Sequence, residues 1–263
     1  MRDSVVLNHR GLRALPRRLA GRVTLRRLHA WGNQLQTLPD WLWQLPQLEE
    51  LVLAGNCLQT VPPAIAQLQR LRLLDLGHNR LASVPAALGQ LDGLDGYLYL
   101  HDNHLTSLPD ELGQLHRLAY LNISGNHLQA LPATIGSLVG LRELRAGQNR
   151  LACLPAELGE LGQLCELWLD DNQLADLPAA LAGLEQLRVL SLRNNQLRRL
   201  PPWVGQLSSL RRLDLRGNRL RALPASVARL PGLERLDLRW NPLSAPPAWL
   251  EALENSRGCL VWR

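Results

Sequence analysis

The chain has 263 residues, 46% of them apolar and 20% charged, which is enough for a substantial core and excludes a disordered tail. Leucine supplies 66 residues, phenylalanine and lysine are absent, and all 29 positive charges are arginines. No run approaches roughly 18 consecutive apolar residues, and the first residues lack the apolar stretch of a secretory signal. We therefore expect no membrane span and a cytoplasmic location. The cysteines show no paired spacing, which favours a reducing compartment over a zinc knuckle or a disulfide cap.

Asparagine recurs with a period of 23 residues that is broken once by a step of 24, which identifies an internal repeat. Around each of these asparagines the chain reads L-x-x-L-x-L-x-x-N-x-L-x-x-L-P-x-x-L-x-x-L, with few departures. The positions are Asn33, Asn56, Asn79, Asn103, Asn126, Asn149, Asn172, Asn195, Asn218 and Asn241.

Each repeat predicts one strand and one return segment. The central x-L-x-L-x alternation predicts a short strand with its leucines on one face, and the next strand should lie alongside it in parallel. The asparagine carries a donor and an acceptor, so it can satisfy buried backbone groups where the strand turns inward. A recurrent proline then predicts a short helix or 3-10 turn. These prolines are Pro39, Pro62, Pro85, Pro109, Pro132, Pro155, Pro178, Pro201 and Pro224.

The same register extends to both ends of the chain. Counting back 23 residues places a first strand around Val5, and counting forward from Leu236 places a last strand at Cys259 to Val261, giving about 12 strands. We predict a single domain over residues 1–263, with a partial first repeat 1–24, repeats 25–255 and a terminal strand 256–263. Between Leu94 and Leu98 the repeat gains one residue, which places Asp95 where a leucine is expected and predicts a local bulge. This is either a tolerated insertion or a device that re-aims Tyr97 and Tyr99.

The asparagine followed by the L-P-x-x-L-x-x-L return resembles the 23-residue leucine-rich repeats of intracellular and bacterial proteins. These include scaffolds that bind Ras-type GTPases, plant Ras-group repeat proteins, and bacterial effectors injected into host cells. The resemblance covers essentially the whole chain and implies an α/β leucine-rich repeat solenoid, a curved horseshoe. About 12 parallel strands would form its concave face, with short helices or 3-10 turns on the convex side.

The function implied by this resemblance is non-catalytic protein–protein interaction, with a small GTPase or a host protein as partner. The lack of lysine and phenylalanine is typical of a GC-rich bacterial genome; alternatively, the absence of lysine protects an injected protein from ubiquitination. If the protein is an effector, it is delivered into the host cell. A second hypothesis is that the repeats are the recognition fragment of a larger bacterial enzyme or effector, such as a ubiquitin ligase or kinase. Nothing follows the repeats here, so that activity would require a further segment.

The outward strand positions of a solenoid are where binding should occur. All three tyrosines of the chain fall on such positions in adjacent repeats, flanked by Leu73 and His101, and an exposed aromatic cluster is typical of a binding hot spot. An arginine patch interleaved with aspartates follows near the C-terminus. These arginines either pair with the aspartates across neighbouring strands or form a site for acidic partners. The predicted partner-binding residues are Leu73, Tyr97, Tyr99, His101, Tyr120, Trp168, Arg193, Arg212, Arg216, Arg235 and Arg239.

The charges are distributed unevenly, with net values of +7 over residues 1–30, −10 over 31–186 and +9 over 187–240. A field of this kind can orient a protein partner, but its negative centre argues against nucleic acid along the whole face. The final strand leaves an edge, with Leu260 and Trp262 pointing outward, that could pair with a second copy. A homodimer is therefore a further expectation.

No enzyme motif is present, and we predict no catalytic residue, cofactor or metal. Ser124, His101 and Asp102 have the residue types of a hydrolase triad, but an open sheet supplies neither an oriented imidazole nor an oxyanion site. His78 could join His101 and Asp102 as metal ligands on neighbouring strands, although the sequence indicates no fourth ligand.

Overall fold

The computed structural model describes residues 3–244 and 247–263, without the side chains of Ser256 and Arg257. The predicted domain includes Met1, Arg2, Ala245 and Pro246, which lie outside the described residues. Over the described chain, one parallel sheet contains twelve three-residue strands in sequence order. The strands are β1 (Ser4–Val6), β2 (Arg27–His29), β3 (Glu50–Val52), β4 (Leu73–Asp75), β5 (Tyr97–Tyr99), β6 (Tyr120–Asn122), β7 (Glu143–Arg145), β8 (Glu166–Trp168), β9 (Val189–Ser191), β10 (Arg212–Asp214), β11 (Arg235–Asp237) and β12 (Leu260–Trp262).

The return segments are 3-10 turns, as the proline pattern predicts, except for the last one. Each turn follows a proline in extended conformation whose carbonyl accepts the first turn hydrogen bond, as Pro109 accepts from Leu112 at 3.1 Å. The turns span Arg17–Leu19, Asp40–Gln44, Pro63–Gln67, Ala86–Gln90, Asp110–Gln114, Ala133–Ser137, Ala156–Glu160, Ala179–Gly183, Pro202–Gln206 and Ala225–Arg229. Before β12 the return segment is instead an α-helix, α1 (Trp249–Arg257).

The core is a column of leucines between the sheet and the turns. Leu98, Leu121 and Leu144 face one another in register across β5, β6 and β7 and have no exposed surface. From the convex side, Leu112 and Ile135 close the same column. Because each leucine packs against the equivalent residues of its neighbours, stability arises mainly at the contacts between repeats.

The recurrent asparagines join each repeat to the one before it. The side-chain amide of Asn126 donates to the carbonyls of Leu100 and Ile123, both at 3.0 Å, and more weakly to Ser124. Its oxygen accepts the backbone N–H of Leu105 at 3.0 Å. The same set of bonds recurs at Asn56, Asn79, Asn103, Asn149, Asn172, Asn195, Asn218 and Asn241. The asparagine ladder thus satisfies buried backbone groups across repeat boundaries.

The residue before each ladder asparagine adopts left-handed backbone geometry, a feature the sequence analysis did not predict. Glycine, which adopts this geometry freely, occupies four of these positions, including Gly125 with φ of 66°. His78 and Asp102 adopt it as well, with φ of 50° and 51°, although each carries a Cβ atom. This conformation is costly for residues with a Cβ atom. The turn that leads to each ladder asparagine therefore imposes the left-handed conformation, whichever residue occupies the position.

The extra residue in the fifth repeat does not re-aim the tyrosines. Tyr97 and Tyr99 pair in register with Leu73 and Asp75 of β4, so the insertion is absorbed before β5. Leu94 takes the buried position and is 1% exposed. Asp95, the additional residue, accepts hydrogen bonds from the side chains of Arg72 and Arg117 at the surface.

The predicted register of the last strand is wrong by two residues. Leu236 pairs with Val261 rather than Cys259, and β12 begins at Leu260. The reason is α1, which is longer than the 3-10 turns and is capped at its C-terminus by Gly258 with φ of 67°. Leu260 and Trp262 nevertheless point outward, as expected, and are 54% and 39% exposed. In the described part of the chain, no helix has the length and apolar character needed to cross a membrane.

Candidate functional site

The outward strand positions form two columns along the concave face, because residues at alternate strand positions share a face and each strand pairs with the next in register. Tyrosine fills three neighbouring places in these columns. Tyr97 and Tyr120 are directly opposite on β5 and β6, and Tyr99 follows Tyr97 on the same face. The fold therefore brings together residues that the sequence predicted as a cluster.

The three tyrosine rings contact one another. Tyr97 and Tyr99 are stacked with ring centroids 6.1 Å apart, and Tyr120 is tilted against both, at 5.6 Å and 4.9 Å. Tyr97 is the most exposed of the three at 47%. Burial raises the pKa of Tyr99 and Tyr120 above the ordinary tyrosine value. Leu73, half-buried and opposite Tyr97, extends the apolar surface by one strand.

His101 borders the tyrosine cluster on one side. Its ring lies edge-on to Tyr99 at 5.9 Å and to His78 at 4.7 Å. The ring also lies over Gly77, where an added Cβ would come within 2.3 Å of the ring carbon Cε1. Burial lowers the pKa of His101, with a partial opposing effect from the nearby Asp75 carboxylate. The packing of the ring therefore disfavours protonation of His101.

A second aromatic site lies two strands beyond Tyr120. The Trp168 indole is flanked by the guanidinium groups of Arg145 and Arg212, at 5.2 Å and 5.6 Å from the ring centroid, and its N–H donates to Glu166 at 3.0 Å. A shallow cavity of about 170 Å³ opens beside it. Sequence reasoning selected Trp168 and Arg212 but missed Arg145, whose alignment with Trp168 across β7 and β8 was the available signal.

Asp170 also lines this cavity, and sequence reasoning missed it as a site residue. Its carboxylate accepts the hydroxyl of Ser191 and the backbone N–H of Arg193. Burial nevertheless raises its pKa, because these hydrogen bonds only partly replace hydration. Beside it, Asp171 pairs with the Arg193 guanidinium at 2.9 Å.

Most of the predicted arginine patch is internally paired. Arg216 bonds Asp214 on its own strand at 2.6 Å and also reaches Asp237 at 3.3 Å, and Arg239 bonds Asp237 at 2.6 Å. Both carboxylates are buried beneath these arginines. Together with the pair of Arg193 and Asp171, this arrangement agrees with the alternative in which the arginines pair with aspartates of the same chain.

Arg212 and Arg235 differ from the other arginines of the patch. Within the described ranges, neither makes an ion pair, and Arg235 is exposed. At the C-terminal end, Arg239 also lies against Trp240 and Trp262, at 5.6 Å and 5.9 Å. The structure thus divides the predicted site into a tyrosine cluster (Tyr97, Tyr99, Tyr120), a Trp168 site and a largely neutralised arginine end.

Comparison with protein families identifies the repeats over most of the chain. A model described as leucine rich repeat matches residues 23–94 and 198–243, and one described as leucine-rich repeat region matches 96–179. A third, leucine rich repeats (2 copies), matches 162–205. A search by sequence among curated proteins gives no significant match.

Solved structures with the same fold include bacterial proteins. The Leptospira interrogans leucine-rich repeat protein LIC12759 is 30% identical, with a TM-score of 0.55 over 97% of this chain and 82% of that one. A chain of the octameric complex of Latrophilin 3, Unc5D and FLRT2 is 26% identical, with a TM-score of 0.75 over 99% and 89% of the two chains. The Listeria monocytogenes internalin inlF, 24% identical with a TM-score of 0.69 over 91% and 74%, shows the fold alone.

The matched repeat models, the nearly full-length similarity to the Leptospira protein and the asparagine ladder agree, and the chain belongs to the leucine-rich repeat family.

Proposed function

We propose that the concave face binds a protein partner and that the tyrosine cluster is the primary contact. The observation that carries this proposal is that all three tyrosines of the chain lie in mutual contact on one outward face, with Tyr97 47% exposed. Tyrosine offers a large contact area and a hydrogen-bonding hydroxyl at a small cost in side-chain entropy. Three such rings packed together are preorganised, so partner binding costs little additional side-chain entropy.

The Trp168 site supplies a second contact for the same partner. Strand β8 is two strands from β6, or about 10 Å at the usual strand spacing, so a partner covering both sites lies along the array. Arg212 beside Trp168 makes no ion pair within the described chain, whereas Arg145 is paired with Glu143. We therefore expect an acidic side chain of the partner near Arg212 and an apolar or aromatic one on the tyrosines.

Family membership supports a protein as the ligand. Leucine-rich repeat domains commonly mediate protein–protein interaction, and one related structure is a complex in which FLRT2 contributes leucine-rich repeats alongside Latrophilin 3 and Unc5D. The repeat fold is typically a non-catalytic interaction module. That the partner binds to the tyrosine cluster on the concave face is a more specific proposal than protein binding in general, and it requires a direct test.

The test compares proteins captured from bacterial and animal-cell lysates by the wild-type chain and by a Tyr97→Ala/Tyr99→Ala/Tyr120→Ala variant. Quantitative mass spectrometry measures each captured protein. A hot-spot tyrosine contributes about 2 kcal/mol, so the triple change should lower the affinity of a true partner by at least about 30-fold. The matched control is Val139→Ser, which changes an exposed apolar residue on a return segment, 53% accessible, without touching the concave face.

Circular dichroism first establishes that all three proteins melt alike. A partner that is lost with the triple variant and retained with Val139→Ser supports the proposal. If every partner is captured equally by all three proteins, the tyrosine cluster is structural and the proposal is wrong. For a retained partner, Arg212→Ala then tests the Trp168 site, where we expect weaker binding and a smaller dependence on salt concentration.

A further inference from the structure

Two histidines and an aspartate converge at the edge of the concave face, where β4 and β5 turn into the asparagine ladder. One ring nitrogen each of His78 and His101 and one carboxylate oxygen of Asp102 lie within 4.8 Å of one another. We propose that these three side chains form a binding site for a divalent transition-metal ion, with Zn²⁺ as the preferred ion. Solvent would complete the coordination shell.

The spacing is close to that of a metal site before any ion binds. Ligand atoms bonded at about 2.1 Å in tetrahedral geometry lie about 3.4 Å apart. The Nδ1 of His78 and the Oδ2 of Asp102 are already 3.3 Å apart. One ligand atom from each of the three residues lies within 4.8 Å of the others, so the group has to contract by at most about 1.4 Å to bind an ion.

The backbone holds the two ligands His78 and Asp102 in equivalent places. Each precedes a ladder asparagine and has the left-handed conformation, with φ of 50° and 51°, so both side chains leave neighbouring turns side by side. The Asp102 carboxylate lies over Gly125, where a side chain would clash with it, because an added Cβ would be 2.1 Å from its Oδ1. The backbone therefore sets the direction in which both ligands leave the chain.

His101 is the ligand whose present surroundings leave a polar atom without a partner. Its Nδ1 is buried and has no hydrogen-bond partner among the described residues. A neutral imidazole is the form that ligates a metal. The carboxylate of Asp75 adds negative potential that acts on both imidazoles. Donation by two imidazoles and one carboxylate selects zinc-like ions over Ca²⁺ and Mg²⁺, which prefer oxygen ligands.

The proposal is tested by titrating purified protein without a polyhistidine tag. Calorimetry with Zn²⁺ gives affinity and stoichiometry, and visible absorption with Co²⁺ reports the coordination geometry. We expect one ion per chain. His78→Asn and Asp102→Asn should each weaken binding at least about tenfold, because outer-shell changes alone have effects of that size. Both substitutions suit the left-handed backbone, since asparagine adopts it readily.

Gly77→Ala provides a variant that alters no ligand. Its φ lies outside the left-handed region, and the added methyl group would displace the His101 ring, so it should also weaken zinc binding. The matched control is His104→Asn/His127→Asn, which removes a second pair of neighbouring histidines, with ring centroids 5.8 Å apart, one position beyond the ladder asparagines. This control should bind zinc as the wild type does.

The proposal is overturned if His78→Asn binds zinc with unchanged affinity, or if binding disappears in the His104/His127 control. It is also overturned if Co²⁺ gives an intense thiolate charge-transfer band, which would place the ion on a cysteine. Melting curves recorded without metal confirm that each variant is folded. His101 is both a proposed ligand and a predicted partner-binding residue, so the ligand substitutions are made at His78 and Asp102, which lie outside the tyrosine cluster. A failure of zinc binding therefore leaves the proposed function standing, and the reverse also holds.

Discussion

Replacing Asn126 with alanine tests whether the asparagine ladder stabilises the fold through hydrogen bonds between repeats. The backbone N–H of Leu105 loses its acceptor, 3.0 Å away in a buried setting, and an unpaired buried donor costs about 1–3 kcal/mol. The two strongest carbonyl acceptors lose one donor each but keep another. Leu100 still accepts from Asn103 at 3.1 Å, and Ile123 from Asn149 at 3.0 Å. These losses add about 1 kcal/mol, giving a total of about 2–4 kcal/mol.

Asn122→Ala is the matched control, because it removes the same residue type from the same repeat. Asn122 lies on the concave face, where its side chain accepts the Ser124 N–H at 3.1 Å and also interacts with Tyr120. We expect its loss to cost less than about 1 kcal/mol. Urea unfolding followed by circular dichroism compares the two variants, and hydrogen exchange at the Leu105 amide reports the local effect. Equal stabilities within about 0.5 kcal/mol, or an unchanged Leu105 exchange rate in Asn126→Ala, would refute this account of the ladder.

The remaining predictions concern the turns and the charged floor of the concave face. Gly113→Ala should lower the melting temperature, because its Cβ would lie 2.4 Å from the Thr134 carbonyl, whereas Gly162→Ala, with nothing within 4 Å, should leave it unchanged or raise it. Gln148→Gly should stabilise the protein by up to about 1 kcal/mol, because Gln148 has φ of 54°; a lower urea midpoint would contradict the strain argument. Burial raises the pKa of Asp170, so its charge opposes folding at pH values above its ordinary pKa. Asp170→Asn should therefore raise the unfolding midpoint at pH 7 but not at about pH 3, and an equal effect at both would exclude a charge-based cause.

Much of the candidate site follows from the repeat period alone. Residues 23 or 24 positions apart become neighbours across a parallel sheet, so the sequence places Tyr97 beside Tyr120, and two-residue alternation puts Tyr99 on the same face. Translation along the array also predicts the position of Trp168. What it does not predict is which charged side chains pair with one another, because that depends on rotamers and on competition among several acids. Arg216 thus binds Asp214 and Asp237, whereas Arg212 lies against an indole.

The sequence by itself determined the repeat family, the parallel strand order, the buried leucines and the role of the ladder asparagines, since all of these follow from a nearly constant period. The tertiary structure alone decided where the chain departs from that period and which side chains meet. A helix in place of a 3-10 turn moves the last strand by two residues, so Val261 rather than Cys259 faces Leu236. The turn into the ladder forces left-handed geometry on His78 and Asp102 and so brings their side chains together. A linear pattern records spacing along the chain, whereas backbone conformation and side-chain packing decide which groups meet.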